Sequence, residues 1–246
     1  MNLQEALDKL PDTKHNVVSV LSGGLDSTIM TYILAKKYGP ERVYALSYNY
    51  GQKQVGEIFM ASLTCDHLGI KHKVLNLSIL GEIVKDVSAN IGGTEVAMPT
   101  IKDVLGDPQP KTYVPFRNMI LNSLAFSFAE SNKASHVFTG LQVHDEYGYW
   151  DTSQKFVDSM NVVADQNRTH KVKLEAPFSA LSKYDELNIA SELGNVRLDY
   201  TLTCYNPSLI GESCGKCPSC AERIQNFMKA KMVDPIKYSV NIDWRV

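Results

Sequence analysis

A chain of 246 residues, 44% of them hydrophobic, suits one full core with an appendage, or at most two small domains. Its 25 basic and 27 acidic residues leave a net charge of −2, and no basic run occurs, which argues against nucleic acid as a direct partner and for a small molecule. Residues 1–16 hold no apolar signal region and no apolar stretch has the length of a membrane span, so a cytoplasmic protein without a membrane partner is expected.

Residues 17–21 form an apolar run that reads as a strand. Residues 28–38 read as a helix with Ile29, Met30, Ile33 and Leu34 on one face, stopped by Gly39-Pro40. A second strand is expected over 43–47. A helix follows over 53–68, with Val55, Ile58, Phe59 and Leu63 on one face and Gly69 as its stop. A third strand falls at 74–77. The β-α-β-α-β order implies parallel strands with helices on both faces. Residues 87–112 hold Gly92, Gly93, Pro99, Gly106, Pro108 and Pro110 with little periodicity, which marks a lid or an irregular loop.

Beyond it, 117–130 reads as a helix carrying Ile120, Leu121, Leu124 and Phe128, and 135–140 as a strand. Residues 152–167 read as a helix with Phe156, Val157, Met160 and Val163 facing in. A strand at 172–176 and a helix at 183–193, ended by Gly194, complete the pattern. The expected fold is α/β, a doubly wound, Rossmann-like parallel sheet over 1–200, with a small cysteine-rich subdomain over 201–246. In such a sheet ligands bind outside the carboxyl ends of the strands, so 22–27, 48–54, 140–151 and 176–183 should line the site.

The first of these loops reads Ser22-Gly23-Gly24-Leu25-Asp26-Ser27. Between a buried strand and a helix N-terminus, such a loop turns backbone N–H groups and the helix dipole toward an anion. Ser22 and Ser27 add hydroxyl donors, the glycines allow close approach, and Asp26 supplies a carboxylate for Mg²⁺ beside a phosphate. No Gly-Lys-Ser/Thr closes the loop, so it is not a Walker loop. The plain alternative is an ordinary strand-to-helix turn rich in Gly and Ser.

Four of the five cysteines, Cys204, Cys214, Cys217 and Cys220, are spaced C-x9-C-x2-C-x2-C. Two residues between cysteines let two thiolates bind one tetrahedral ion, and four thiolates leave no open position. A structural Zn²⁺ is expected; two disulfides or an iron–sulfur cluster are the alternatives. Cys65 reads as a buried, inert thiol.

Tyr48-Asn49-Tyr50-Gly51-Gln52 follows the second strand, where an aromatic ring and a glycine suit an adenine, or form a plain strand-end turn. In Tyr113-Val114-Pro115-Phe116-Arg117-Asn118, Arg117 could fork onto a carboxylate or phosphate, or be a surface residue. The segment 140–151 is the densest in polar and aromatic groups. There Asp145 or Asp151 could accept from the N–H edge of a guanine-like ring, and His144 reads as solvated or structural. Lys183 opens a helix after Pro177; it could reach a phosphate or carboxylate, or lie on the surface.

Together these segments resemble one family. SGGLDS resembles the loop of the N-type ATP pyrophosphatases. With YNYGQ, YVPFRN, GLQVHDEYGYWD, the SKYDE helix start and the closing CGKCPSC, the chain from about 17 to 238 resembles the 7-cyano-7-deazaguanine synthase family of queuosine biosynthesis. The resemblance implies a ligase that converts 7-carboxy-7-deazaguanine, ammonia and ATP to the nitrile through an adenylated acid and an amide. It implies Mg²⁺, a structural zinc and a homodimer. It assigns ATP to Leu21, Ser22, Gly23, Gly24, Leu25, Asp26, Ser27 and Thr28, with Tyr50, Gly51 and Gln52. It assigns the deazapurine to Arg117, Asn118, Gly140, Asp145, Tyr149 and Asp151, and catalysis to Asp26, Ser27, Lys183 and Arg117.

The chain departs from the family pattern in one loop. Gln142 stands where the family has Asn, and Trp150, Thr152 and Ser153 stand where it has Pro, Cys and Arg. A relative that stops at the amide, or passes the activated acid to another amine, is the alternative reading. A tRNA sulfur transferase would need a reactive cysteine pair or an iron–sulfur cluster, and a zinc module binding nucleic acid would need positive charge.

Overall fold

In a computed structural model, residues 1–99, 107, 109–142, 149–208 and 211–244 are described. Five parallel strands form one sheet: β1 (Asn16–Val20), β2 (Val43–Asn49), β3 (Lys71–Asn76), β4 (Ala134–Thr139) and β5 (Lys173–Glu175), in the order β3-β2-β1-β4-β5. The chain builds outward from β1 on one side, then crosses to the other. The reversal lies between β1 and β4, and in an open α/β sheet the crevice there is where ligands bind.

β1 and β2 are buried along nearly their whole length, which is why they read as continuous apolar runs. Neighbouring residues of one strand serve opposite faces: Val17 and Phe138 belong to one buried cluster, Val18 and Val137 to the other. The sheet is thus covered on both sides, as doubly wound packing requires.

The eight helices described are α1 (Leu3–Asp8), α2 (Leu25–Tyr38), α3 (Gly56–Leu68), α4 (Ser78–Val84), α5 (Arg117–Ser131), α6 (Gln154–Ala164), α7 (Lys183–Leu193) and α8 (Pro218–Lys229). α2 begins three residues earlier than the apolar pattern marks, because Leu25, Asp26 and Ser27 already form its first turn. It is buried nearly all round, between the sheet and its neighbours α1, α3 and α7.

Several local expectations are corrected. β3 starts at Lys71, not 74. It is the edge strand, so its polar residues face water, and lysines there discourage pairing with another chain. α1 and α4 are additional helices; α1 carries a capping box in which Asn2 and Glu5 bond each other's backbone N–H. On α3 the inner face is Ala61, Thr64 and Cys65, while Phe59 is 63% exposed. On α5 it is Asn118, Asn122, Ala125 and Ala129, small or polar groups that let the helix lie close to the sheet, and Ile120 faces out. α6 ends at Ala164 with Val163 outside.

The cysteine-rich segment joins the α/β core directly. Phe227 of α8 lies in the core cluster, and the Leu202 N–H bonds the Gly23 carbonyl at 2.9 Å. Arg223 and Asp234, both fully buried, pair at 2.6 Å and tie the following segment down. Part of the expected lid, 100–106 and 108, lies outside the described residues. Residues 89–92 of the same segment are pinned: Ala89 N–H bonds Lys111, Gly92 N–H bonds Gly51, and Ile91 bridges Gln52. No helix among the described residues is long and apolar enough to cross a membrane.

Candidate active site

At the carboxyl ends of β1, β2 and β4 a cavity of about 330 Å³ opens. The loop after β1 forms its floor. Ser22 Oγ and Ser27 Oγ stand 3.0 Å apart, and the Gly24 N–H bonds Ser22 Oγ at 3.1 Å. No side chain caps α2, which leaves its first turn open to an anion. Gly23 has φ +90°, and a Cβ there would lie 1.9 Å from the Glu57 carbonyl oxygen. The glycine lets α3 cover the loop. At the end of β4, a Cβ on Gly140 would sit 3.2 Å from the Ser27 nitrogen.

Of the residues singled out in the sequence, Leu21, Ser22, Gly24, Asp26, Ser27, Tyr50, Arg117, Asn118, Gly140, Tyr149 and Lys183 line this cavity. Leu25 and Thr28 are wholly buried behind the loop. Gln52 is buried in the turn after β2, where its amide accepts from Tyr50 N–H and donates to the Tyr48 carbonyl, both at 2.9 Å. Gly51 belongs to the same turn. Asp145 and His144 lie outside the described residues.

Lys183 projects from the N-terminus of α7. Its Nζ is 3.3 Å from Asp26 Oδ2 and 3.4 Å from Glu222 Oε2, and its side chain is 6% exposed. Burial pushes its pKa down, but the carboxylates of Asp26, Glu222 and Glu186 outweigh this and the net shift is upward. Glu186, one turn along α7, accepts a 2.6 Å bond from Gln142. Burial, then the Asp26 carboxylate, raise Glu186 well above the usual carboxylate range. The longer side chain of Gln142 is what reaches this buried acid.

Arg117 opens α5 on the opposite wall, its guanidinium 3.3 Å from the Tyr50 hydroxyl. Burial opposes its charge, while Tyr50 and Asp151 support it. Asp151 is turned away from the cavity. Its Oδ2 accepts the Asn118 N–H at 3.2 Å, capping a helix whose own N-cap residue, Phe116, offers no side-chain bond. Burial raises the Asp151 pKa, against the lowering pull of Arg117 and the Asn118 N–H. Tyr149 stacks on Tyr113 with centroids 5.6 Å apart and meets Thr112 at 2.8 Å.

The unusual residues of this loop have local partners. The Trp150 indole N–H donates to Tyr113 at 2.8 Å, and the ring packs edge-on against Phe116 and Phe156. Thr152 bonds the Tyr149 carbonyl, and Ser153 caps α6 by accepting the Phe156 N–H.

Glu57 and Glu222 line the cavity and Glu186 lies behind Gln142; none of the three is among the candidate site residues of the sequence. They come from three helices, so no one local motif gathers them; for Glu57 and Glu186 a place in the first turn of a helix beside a site loop is the one signal.

The four cysteines converge. Their Sγ atoms lie within 4.8 Å of one another, with Cys214 and Cys220 at 3.9 Å. A tetrahedral ion with bonds of about 2.3 Å spaces its sulfurs by about 3.8 Å, so the set fits zinc. Backbone N–H groups of Asn206 and Cys214 point at Cys204 Sγ, as thiolates require. Cys65 is buried apart, its thiol pushed up to about 12 by burial.

Residues 16–231 match the family described as "Queuosine biosynthesis protein QueC". The chain belongs to the QueC family. It is 37% identical over 230 residues to a 7-cyano-7-deazaguanine synthase from Caldicellulosiruptor saccharolyticus, covering 92% of this chain and 97% of that one. It is 38% identical over 225 residues to the synthase of the same name from Pseudoalteromonas atlantica, covering 90% and 98%. Among solved structures, the U34-tRNA thiolase NcsA from Methanococcus maripaludis, with its [4Fe-4S] cluster, aligns at 19% identity with a TM-score of 0.48. That alignment spans 79% of this chain and 64% of the thiolase. This QueC chain spans nearly the whole length of both of those synthases.

Proposed function

We propose that this chain converts 7-carboxy-7-deazaguanine and ammonia to 7-cyano-7-deazaguanine, cleaving ATP to AMP and pyrophosphate in two successive activations. The observation that carries this reading is convergence: segments of a QueC-family chain as far apart as Ser22 and Lys183 border one cavity. ATP lies with its phosphates on the loop from Leu21 to Ser27, where the first turn of α2 and two hydroxyls stabilise the anion. Tyr50 borders the adenine, and Gly51 and Gln52 act through the turn that holds it. Lys183 neutralises charge on the transferring phosphate, and Arg117 forks onto the substrate carboxylate. Asn118, Gly140 and Tyr149 border the deazapurine ring, and Asp151 serves it by fixing α5.

Asp26 presents an oxygen donor at the cavity edge, the ligand type that Mg²⁺ takes; a Mg²⁺ held there would supply positive charge against the pyrophosphate. Zinc in the cysteine cluster is structural, since four thiolates close its shell. By family resemblance the working unit is a cytoplasmic homodimer.

Mass-spectrometric analysis of a reaction containing 7-carboxy-7-deazaguanine, ATP, Mg²⁺ and ammonium tests the reading. Nitrile with AMP supports it. The amide alone supports the second reading, which Trp150, Thr152 and Ser153 favour as departures beside the ring site. No turnover of this acid refutes both.

A further inference from the structure

Carboxyl groups facing the cavity are the natural proton acceptors of this chain, because no histidine or cysteine lines it among the described residues. Three carboxyls do: Asp26, Glu57 and Glu222. Asp26 and Glu222 both pair with Lys183, so their oxygens are already engaged. Glu186 sits behind Gln142, and Asp151 caps α5. The cavity phenols, Tyr48, Tyr50, Tyr149 and Tyr205, are all pushed upward, chiefly by burial, and keep their own protons.

Glu57 is different. It makes no ion pair among the described residues. Its backbone carbonyl covers Gly23, so the residue starts at the phosphate loop. Its Oε1 accepts from Gln52 Nε2 at 3.3 Å, and Gln52 is itself fixed by two backbone bonds. The carboxyl is thereby held between the phosphate loop and the wall carrying Tyr50 and Arg117.

Resting on the proposed function, we infer that Glu57 accepts the protons that nitrogen gives up as the amide and then the nitrile form. In the first step ammonium yields a proton to the Glu57 carboxylate. The freed electron pair forms the C–N bond, the C–O bond to AMP breaks, and the second N–H proton leaves to water. Glu57 then gives its proton up to water, and adenylation of the amide oxygen sends one of the two amide protons to water as well. In the last step the remaining N–H bond of the adenylated amide breaks. Its electron pair becomes the third C–N bond, the C–O bond to AMP breaks with its pair going to the phosphate, and the proton passes to Glu57.

Burial pushes the Glu57 carboxyl up to about 8, with the Gln52 bond and the Arg117 charge opposing. A group poised near the working pH exchanges protons readily. The charged or titratable groups facing it are Arg117 from α5 and Tyr50 from the turn after β2.

The test separates adenylation from nitrogen chemistry in the zinc-loaded protein. Glu57→Gln keeps an acceptor for Gln52 and is expected to retain exchange of labelled pyrophosphate into ATP that depends on 7-carboxy-7-deazaguanine. Amide and nitrile formation should fall about 10²–10⁴-fold, the range for loss of a general base, and the rising limb of the kcat–pH profile should vanish. Formate added to Glu57→Ala should restore part of the rate, which a purely structural role would not allow. Near-normal nitrile formation by Glu57→Gln with an unchanged pH profile overturns the inference. So does a parallel loss of exchange, which would make Glu57 a binding or adenylation residue. Wild-type protein that shows no exchange and no product with this acid refutes the functional reading, and this inference with it.

Discussion

Lys183 and Asp26, 157 residues apart, meet at 3.3 Å across the mouth of the cavity. The pair joins the first turn of α2, which carries the phosphate loop, to the first turn of α7. Glu222 of α8 meets the same ammonium at 3.4 Å, so one lysine couples the nucleotide loop to the cysteine-rich segment. Asp26→Ala is expected to leave fold and metal content intact and to abolish AMP formation. Lys183→Met, of similar volume, should lower AMP release at least about 10²-fold, as loss of a preorganised charge at the transferring phosphate does. AMP release at the wild-type rate in either variant would remove the loop or the lysine from the chemistry.

Glu57 carries a stability cost whose sign follows from its upward shift. The unfolded chain ionises this group near pH 4.3, while the folded protein ionises it near 8. Folded and unfolded states bind the proton equally below the first value. Between the two the unfolded state is favoured, and above 8 the difference is constant. Glu57→Gln should therefore match wild type at pH 4 and gain stability from pH 5 to 8. The gain is on the order of 1–2 kcal/mol once solvent screening of this partly exposed group is allowed for. Denaturant midpoints measured across this range check it, and a gain that instead grew toward acid pH would reverse the assignment.

Asp151 supports Arg117 from behind. Removing its carboxylate in Asp151→Ala deletes the cap on α5 and should cost about 0.5–2 kcal/mol. The loosened helix start should raise KM for the deazapurine acid about tenfold with the affinity for ATP unchanged. Asp151→Asn retains the acceptor and should restore most of both. A matching rise in KM for ATP would place Asp151 at the nucleotide instead.

At Gly23 the obstacle is backbone, not a side chain that can swing aside. Gly23→Ala must move α3 off the loop and adopt an unfavourable φ, at a cost of about 3 kcal/mol or more. Gly69 is a control: its φ is +68° but nothing lies within 4 Å of a Cβ there. Gly69→Ala should cost only about 1 kcal/mol. Equal losses in the two variants, read from unfolding curves, would show that the contact with Glu57 is soft.

What the sequence disclosed was contiguous. Ser22 to Ser27 can be read because strand, turn and helix N-terminus follow one another in a few residues, and the cysteines because their spacing is itself the ligand geometry. β3 was clipped because Lys71, His72 and Lys73 line an outer edge, where an apolar pattern is not required. The face of α3 is not legible in the apolar pattern because Phe59 points outward and Cys65 inward, a choice set by what the helix rests on. Asp151 sits in a segment suited to ring reading, but its carboxylate caps α5, a need only the packed structure shows. Glu57 and Glu222 carry no local signature, since only the packing of α3 and α8 brings them to one cavity, and Glu186 of α7 lies behind Gln142.

Metal removal tests the coupling through the cysteine-rich segment. Structural zinc sites contribute an apparent ~10–16 kcal/mol in isolated zinc-binding peptides, so Cys217→Ser or strong chelation should lower the melting temperature sharply. The loss should reach the nucleotide site as well. The Leu202 N–H that holds the Gly23 carbonyl lies two residues before Cys204, and Glu222 lies two residues after Cys220 on α8. When the thiolates lose their common ion, both restraints on the loop loosen, and ATP affinity should fall before global unfolding. Metal analysis with parallel calorimetric titration of ATP follows both quantities. A soluble Cys217→Ser protein with undiminished zinc would exclude this ligand set, and chelated protein that binds ATP with wild-type affinity would show that the loop stands without the metal.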